Sequence, residues 1–377
     1  MKRKVKVFQL QNSYNVNSSD LAEQIILGLP EEHFEVTTAF LRGRPGPDEP
    51  VSRAKRSVYF DLTQSKTKGL RLSALWALYK HCRNERYDAV VVHRVKPINM
   101  MMILNRWLRI PACIGVLHGI GEYDRTYRKY ALKCLINRSW RLVGVSRAVY
   151  NDLLNCGAGL NSGSARQINN AIDIKKTEAL LLPRLHARAS LGLPSDSVIF
   201  GTIGRLVPVK GHTDLLEAFA KISEQHPNAL IAIIGEGRSR NDLQATIQRL
   251  GISERAILLG AKPDALRFVR AFDCFVMPSH SEGLPLALLE GMSAHLPVIG
   301  SNISSLKPIL EDCGGRMFSV GQADELAERL KEVLALSHEE RLAEGNRTYT
   351  YLCRTHAIED FRRKYRELFD ELLEQAG

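Results

Sequence analysis

The sequence predicts an α/β protein built from two doubly wound, parallel-sheet domains, and three observations carry that expectation. The chain has 377 residues, more than one hydrophobic core usually organises, so two domains are the default. Short continuous apolar runs alternate with helical stretches, the pattern of parallel strands covered by helices on both faces. The alternation stops at a breaker-rich passage, NCGAGLNSGSARQ, and then begins again.

Taken in order, VKVFQL, YDAVVVHR, PACIGVLHG and RLVGVSR read as strands of the first series, with helical patterns such as LRLSALWALYKHCRNE between them. The segment NNAIDIKKTEALLLPRLHARASLGLP joins the two series and sets a boundary near residues 172 to 195. SVIFGTIGRL, NALIAIIGEG, RAILLGA, DCFVMPS and LPVIGS are the strands of the second, each followed by a helical run. The tail HAIEDFRRKYRELFDELLEQ has apolar residues at helical spacing and should close the chain as a helix. The expected division is therefore 1–172, 173–356 and a closing helix over 357–377. In such folds ligands bind beyond the carboxyl ends of the strands, so the loops after these runs are where chemistry is to be sought.

Composition narrows the class. No apolar run approaches the roughly 18 residues a membrane helix needs, and MKRKVKVFQLQNS turns polar too early for a signal-peptide core, so the expected location is the cytoplasm. Seven cysteines without a C-x-x-C pair suit reduced, buried thiols better than a disulfide framework or a zinc site. The net charge of +11 is uneven: up to residue 166 there are 27 Lys and Arg against 13 Asp and Glu, and beyond it 25 against 28. A basic front half points to phosphate, nucleic acid or a membrane surface, or is simply solvated charge.

Two segments carry candidate chemistry. In SHSEGLPLALLEGMSA, Pro285 suits the first position of a helix. The amides of Gly283 and Leu284, with the helix dipole, then offer a phosphate-binding end. Glu282 stands before that end and Glu290 in the second turn. Eight helical residues span roughly 12 Å, too far for a carboxylate pair sharing one proton, so the two glutamates suit opposite ends of one long ligand. The plain alternative is that Glu282 caps the helix and Glu290 is a surface residue. In IFGTIGRLVPVKGHTDLL, Gly201 and Gly204 permit close backbone approach while Arg205 and Lys210 can meet a diphosphate. The segment is neither a Walker loop nor a dinucleotide fingerprint.

GRLVPVKG, IIGEGRSRNDLQ, LLGAKPD and PSHSEGLPLALLEGMSAHLPVI resemble, in that order, the C-terminal half of family-four retaining glycosyltransferases, notably bacterial lipopolysaccharide and polysaccharide enzymes. LHG at 117–119, VGVSRAVYNDL and NNAID extend the resemblance forward over most of the chain. It implies a GT-B fold: two Rossmann-like domains facing across a cleft, the nucleotide-sugar donor held mainly by the second, the acceptor by the first, and the final helix crossing back. By the same resemblance Arg205 and Lys210 bind the donor diphosphate, Glu290 the ribose hydroxyls and Glu282 the transferred sugar. Gly204, Gly283 and Leu284 line sugar or phosphate, the backbone of Gly260, Ala261 and Lys262 approaches the base, and His118 lies near the sugar. Where the family often has paired glycines, the first loop reads QNSYNVNSSDLAEQ, so Asn17, Ser18 and Ser19 offer side-chain hydrogen-bond groups instead. The usual Asn-Gly before Ile-Asp is Asn170-Ala171.

The implied reaction is glycosyl transfer from a UDP- or GDP-linked sugar to a hydroxyl with retention, by front-face attack, with no metal and no cofactor beyond the donor. A nucleotide-sugar epimerase or phosphorylase on the same fold is the nearest alternative, and donor isomerised without acceptor would mark an epimerase. A non-catalytic nucleic-acid binder is disfavoured, because no recognition motif or interleaved aromatic pattern accompanies the charge. The crowd of Arg42, Arg44, Arg53, Lys55, Arg56, Lys66, Lys68 and Arg71 in a largely irregular region suits an anionic leaflet or a phosphorylated glycolipid. So does a second group, Arg125, Arg128, Lys129 and Lys133. The expected setting is peripheral attachment to the inner face of the cytoplasmic membrane, with a glycolipid or oligosaccharide acceptor.

Overall fold

The computed structural model describes residues 3–16, 20–63 and 72–375. The chain divides into two compact units, one running to Asn170 and resuming at Ile358, the other from Ala171 to Ala357. The first holds β1 (Val5–Gln11), β2 (Phe34–Phe40), β3 (Arg56–Tyr59), β4 (Ala89–His93), β5 (Ala112–Leu117), β6 (Trp140–Gly144) and β7 (Ala165–Gln167). The second holds β8 (Val198–Ile203), β9 (Ala229–Ile234), β10 (Ala256–Gly260), β11 (Cys274–Met277), β12 (Val298–Ser301) and β13 (Arg316–Phe318).

Both sheets are parallel and repeat one plan. The orders are β3-β2-β1-β4-β5-β6-β7 and β10-β9-β8-β11-β12-β13. In each, the chain builds outward to one edge, returns to the middle and builds toward the other. That reversal opens a crevice at the carboxyl ends of the two central strands, β1 and β4 or β8 and β11.

Strand periodicity sets the two cores of the second unit. Phe200, Ile231, Ile233, Val276 and Ile299 point to one face, under helices His212–Ser223, Arg240–Arg249 and Ala323–Ala335. Ile199, Leu230, Ile234, Phe275 and Val298 point to the other, under helices that include Leu286–Ser293. Burial on both faces is why these strands are almost wholly apolar.

Four strands were not legible. FEVTTAF forms β2 although its threonines read as polar; Thr37 and Thr38 are buried in the sheet. β7 and β13 have three residues each, too few to show a period. β3 is an edge strand inside the stretch expected to be irregular, and Arg56 opens it.

The closing helix, Ile358–Glu374, packs against helix Leu21–Leu27 in the first unit. Its buried stripe of Phe361, Tyr365, Leu368, Phe369 and Leu372 follows helical spacing. Glu371 accepts from Arg166 at 3.0 Å and Arg141 at 3.3 Å. Among the described residues no helix is long and apolar enough to cross a membrane.

Candidate active site

In the second unit the crevice is formed by the loops after β8 and β11. After Gly204 the chain crosses to a short 3-10 turn, Pro208–Lys210, and enters the helix at His212. Gly211 makes the join at φ +64, and a β-carbon there would lie 1.9 Å from the carbonyl oxygen of Pro278. Only glycine allows that approach. The amide of His280 donates to the Val209 carbonyl at 2.8 Å, tying the two loops together. Their union sets Lys210 Nζ 2.5 Å from Glu282 Oε1, with both side chains mostly buried. Arg205, on the same loop, is exposed, and its guanidinium has no partner among the described residues.

The following helix begins at Leu286, one residue later than expected. Pro285 is its N-cap, extended at ψ 122, and its carbonyl accepts from Leu288 at 3.2 Å. No side chain caps this end, so the capping role considered for Glu282 is not the one it has; its carboxylate is spent on Lys210. The amides of Leu286 and Ala287 have no partner among the described residues. Free amides at a helix start are the kind of donor that can bind an anion. Gly283 and Leu284 lie just ahead of it, half-buried and buried respectively.

Glu290 sits in the second turn. Its neighbour Gly291 lets the helix close on β11, since a β-carbon there would come within 2.6 Å of the Phe275 ring. Glu290 is half-buried, its carboxylate has no hydrogen-bond partner among the described residues, and burial pushes its pKa up to about 7. A partly desolvated carboxylate left without donors in the protein is available to a ligand's hydroxyls.

Backbone bonds lace the neighbouring loops to this pair. Leu206 donates to Glu236 at 2.9 Å, Ser239 to Leu206 at 3.0 Å, and Gly235 to Gly260 at 3.0 Å. Gly260 turns at φ +74, followed by exposed Ala261 and half-buried Lys262. Sequence reasoning missed Asp214, whose Oδ2 lies 2.8 Å from His280 Nε2 and accepts from the Gly321 amide at 3.2 Å. Asp214 thus clamps together the loops after β8, β11 and β13. As an acid in the first turn of a helix it gave no such signal.

In the first unit His118 follows β5. The amides of His118 and Gly119 both donate to Glu122 Oε1 at 3.0 Å, and Val95 donates to Oε2 at 3.0 Å. One carboxylate therefore fixes the loop after β5 to the start of helix Val95–Leu108. His118 Nε2 lies 3.3 Å from Nδ1 of His93, the last residue of β4. Burial, with the Arg94 charge nearby, pushes His118 down to about 4, and His93 falls well below the usual value by burial and its neighbour. Both rings are neutral, so one donates to the other. His93 Nε2 is buried without a partner; a bare lone pair there costs less than an orphaned N–H. The favoured arrangement is His93 Nδ1–H donating to His118 Nε2, which leaves the His118 proton on Nδ1. Sequence reasoning missed His93 and Glu122. Asn17, Ser18 and Ser19 lie outside the described residues.

Comparison with known proteins follows the same division. A family model described as "Glycosyl transferases group 1" matches residues 184–349, and one described as "Glycosyltransferase Family 4" matches residues 21–176. The chain is similar to the UDP-Gal:alpha-D-GlcNAc-diphosphoundecaprenol alpha-1,3-galactosyltransferase of Escherichia coli, 28% identical over 73% of each chain. It is also similar to the lipopolysaccharide core biosynthesis glycosyltransferase LpsE of Rhizobium meliloti (strain 1021), 31% identical over 46% of this chain and 51% of LpsE. In fold it is similar to sucrose-phosphate synthase from Thermosynechococcus elongatus, with a TM-score of 0.83 at 16% identity over 99% of this chain and 100% of that one. Anabaena HepE in complex with UDP gives 0.79 at 18% identity, covering 97% of this chain and 100% of HepE. The two parallel units with their shared strand order, and family models that between them take in most of the sequence, lead to one conclusion: the chain belongs to the family-four glycosyltransferases of GT-B fold.

Proposed function

We propose that this protein is a retaining glycosyltransferase that moves a sugar from a UDP- or GDP-linked donor to a hydroxyl of a glycolipid or growing surface polysaccharide of lipopolysaccharide type. The observation that carries the reading is the joining of the loops after β8 and β11 by Lys210 and Glu282, ahead of an uncapped helix start, with Arg205 on the first loop and the unpartnered Glu290 on the helix. Cations and amides suit the diphosphate, and Glu290 suits the ribose. The names of the Escherichia coli and Rhizobium relatives support the acceptor class, and the UDP carried by HepE supports testing uridine donors first.

In the proposed reaction the bond between the anomeric carbon and the β-phosphate oxygen breaks, and the acceptor oxygen bonds to the same face of that carbon. The acceptor's proton passes to the departing phosphate oxygen. Negative charge grows on the diphosphate as the bond lengthens, and Arg205, Lys210 and the amides at the helix start stabilise it, so no metal is needed for that purpose. The Lys210–Glu282 pair holds the ammonium at the crevice before donor arrives and keeps Glu282 beside the position of the transferred sugar. The Gly260–Lys262 backbone receives the base. Gly204, Gly283 and Leu284 present backbone to sugar and phosphate. The first unit binds the acceptor, with Asn17 and Ser18 among its contacts and His118 among its polar groups. Attachment is to the cytoplasmic face of the membrane, by charge.

The test is incubation with α-linked UDP and GDP sugars, with and without a soluble prenyl-diphosphate N-acetylglucosamine, followed by proton NMR of the product anomeric signal. An α-linked product formed only with acceptor is expected. A β-linked product would end the assignment of retention, and donor isomerised in the absence of acceptor would make the protein an epimerase.

A further inference from the structure

Three charges of the first basic cluster are paired within the fold. Lys55 pairs with Glu35 at 2.8 Å, Arg56 with Glu85 at 2.9 Å and Arg44 with Asp61, while Arg42 donates to Ser13. Lys66, Lys68 and Arg71 lie outside the described residues. A second concentration of basic charge lies elsewhere. The helices Leu72–Glu85, Val95–Leu108 and Thr126–Leu135 connect strands that step across the sheet in one direction. Right-handed crossovers set them on one face, where each packs on the next. Together they carry seven Lys and Arg and one acid, Glu85, already paired with Arg56.

That same face exposes large rings. Trp76 is 65% exposed and Trp107 67%, whereas Trp140, the third tryptophan, is fully buried. Tyr127 and Tyr130 stand out from the third helix. Cations are interleaved with the rings: Lys80 lies over Trp76 at 5.3 Å and Arg128 over Tyr127 at 5.7 Å. Between the first two helices is an open depression of about 860 Å³, lined by Tyr79, Arg83, Arg86 and Trp107 among others. Large apolar side chains gathered on one face and rimmed by polar groups mark interaction surfaces. Amphipathic rings among cations, with almost no acid, match a bilayer interface with anionic headgroups.

We propose that the face made by these three helices is the surface on which the protein docks to an anionic lipid bilayer, with Trp76 and Trp107 entering the headgroup layer. It rests on the reading of a membrane-held acceptor, and donor binding is measured alongside so that the two can fail separately. The probe is full-length protein with vesicles of brominated phosphatidylcholine, either alone or 3:1 with phosphatidylglycerol. Because Trp140 is buried, bromine reports on Trp76 and Trp107. Anionic vesicles at low salt should quench and blue-shift the emission, neutral vesicles should do neither, and added salt should reverse the effect. Arg106→Glu combined with Lys133→Glu should lower vesicle partition roughly tenfold or more with donor binding unchanged.

Three results would overturn the docking face. One is vesicle binding without quenching, which puts the contact elsewhere on the molecule. Another is quenching by a 20-mer oligonucleotide at the same salt but not by vesicles, which makes the face a nucleic-acid surface. The last is concentration-dependent dimerisation without vesicle binding, which makes it an interface between copies. Absence of docking with donor binding intact would leave the transferase reading standing.

Discussion

Glu290 is the residue at which stability and proposed function pull apart. Burial raises its pKa to about 7, above the ordinary carboxylate value, so the folded chain holds this proton more tightly than the unfolded one. Its contribution to folding is therefore fully present below the unfolded value and is lost as pH rises toward 7; above that the ionised, unpartnered group costs up to about 3 kcal/mol. Glu290→Gln should melt higher than the parent at pH 8 and nearly equal to it at pH 5. The same variant should bind donor more weakly at pH 8, and calorimetry checks this. A second prediction concerns the cations. Charge on the diphosphate grows in the transition state, so Arg205→Ala and Lys210→Ala should each lower kcat by about a hundredfold, near 3 kcal/mol, and donor affinity far less. A third concerns the histidine pair. Imidazole nitrogen-15 shifts should show His118 protonated on Nδ1, and His93→Leu should lose that preference while His93→Asn, which can still donate, should retain it.

At the scale of elements, the join between β8 and its helix shows which glycines hold shape and which leave room. Gly211→Ala puts a methyl into the Pro278 carbonyl at a positive φ and should destabilise the protein by more than about 1 kcal/mol. A methyl on Gly204 meets only the Lys210 stem, at 3.8 Å, so Gly204→Ala should melt like the parent and lose donor affinity. Thermal melts beside donor titrations separate the two. These loops also mark what was legible. Arg205, Lys210, Glu282 and Glu290 stood out because turn glycines and a proline-led apolar helix announce local geometry. Asp214 did not, since its partners His280 and Gly321 are 66 and 107 residues away. His93 was hidden for the same reason, since its partner His118 is 25 residues away, and Glu122 gave no sign of its tie to Val95, 27 residues away, although its bonds to His118 and Gly119 are local. β2 was missed because threonines that read as polar are buried by the sheet, and β13 because three residues show no period.

On the scale of the whole molecule, two copies of one strand order explain why the sequence repeats its alternation. The closing helix belongs to the first unit by packing, although 187 residues of the second unit separate it from Asn170. Removing residues 358–377 would take away the buried stripe of Phe361, Tyr365 and Phe369 and expose the surface it covers, so that truncation should lower the thermal stability of the first unit and promote aggregation. The most direct measurement of the central claim is calorimetric titration of the full chain with UDP- and GDP-linked sugars, repeated with Glu290→Ala. One donor should bind with one-to-one stoichiometry and lose most of its affinity in the variant, which stays folded by circular dichroism. A parent protein that binds no sugar nucleotide, or a folded variant that binds as tightly as the parent, would contradict a donor site at the β8–β11 crevice.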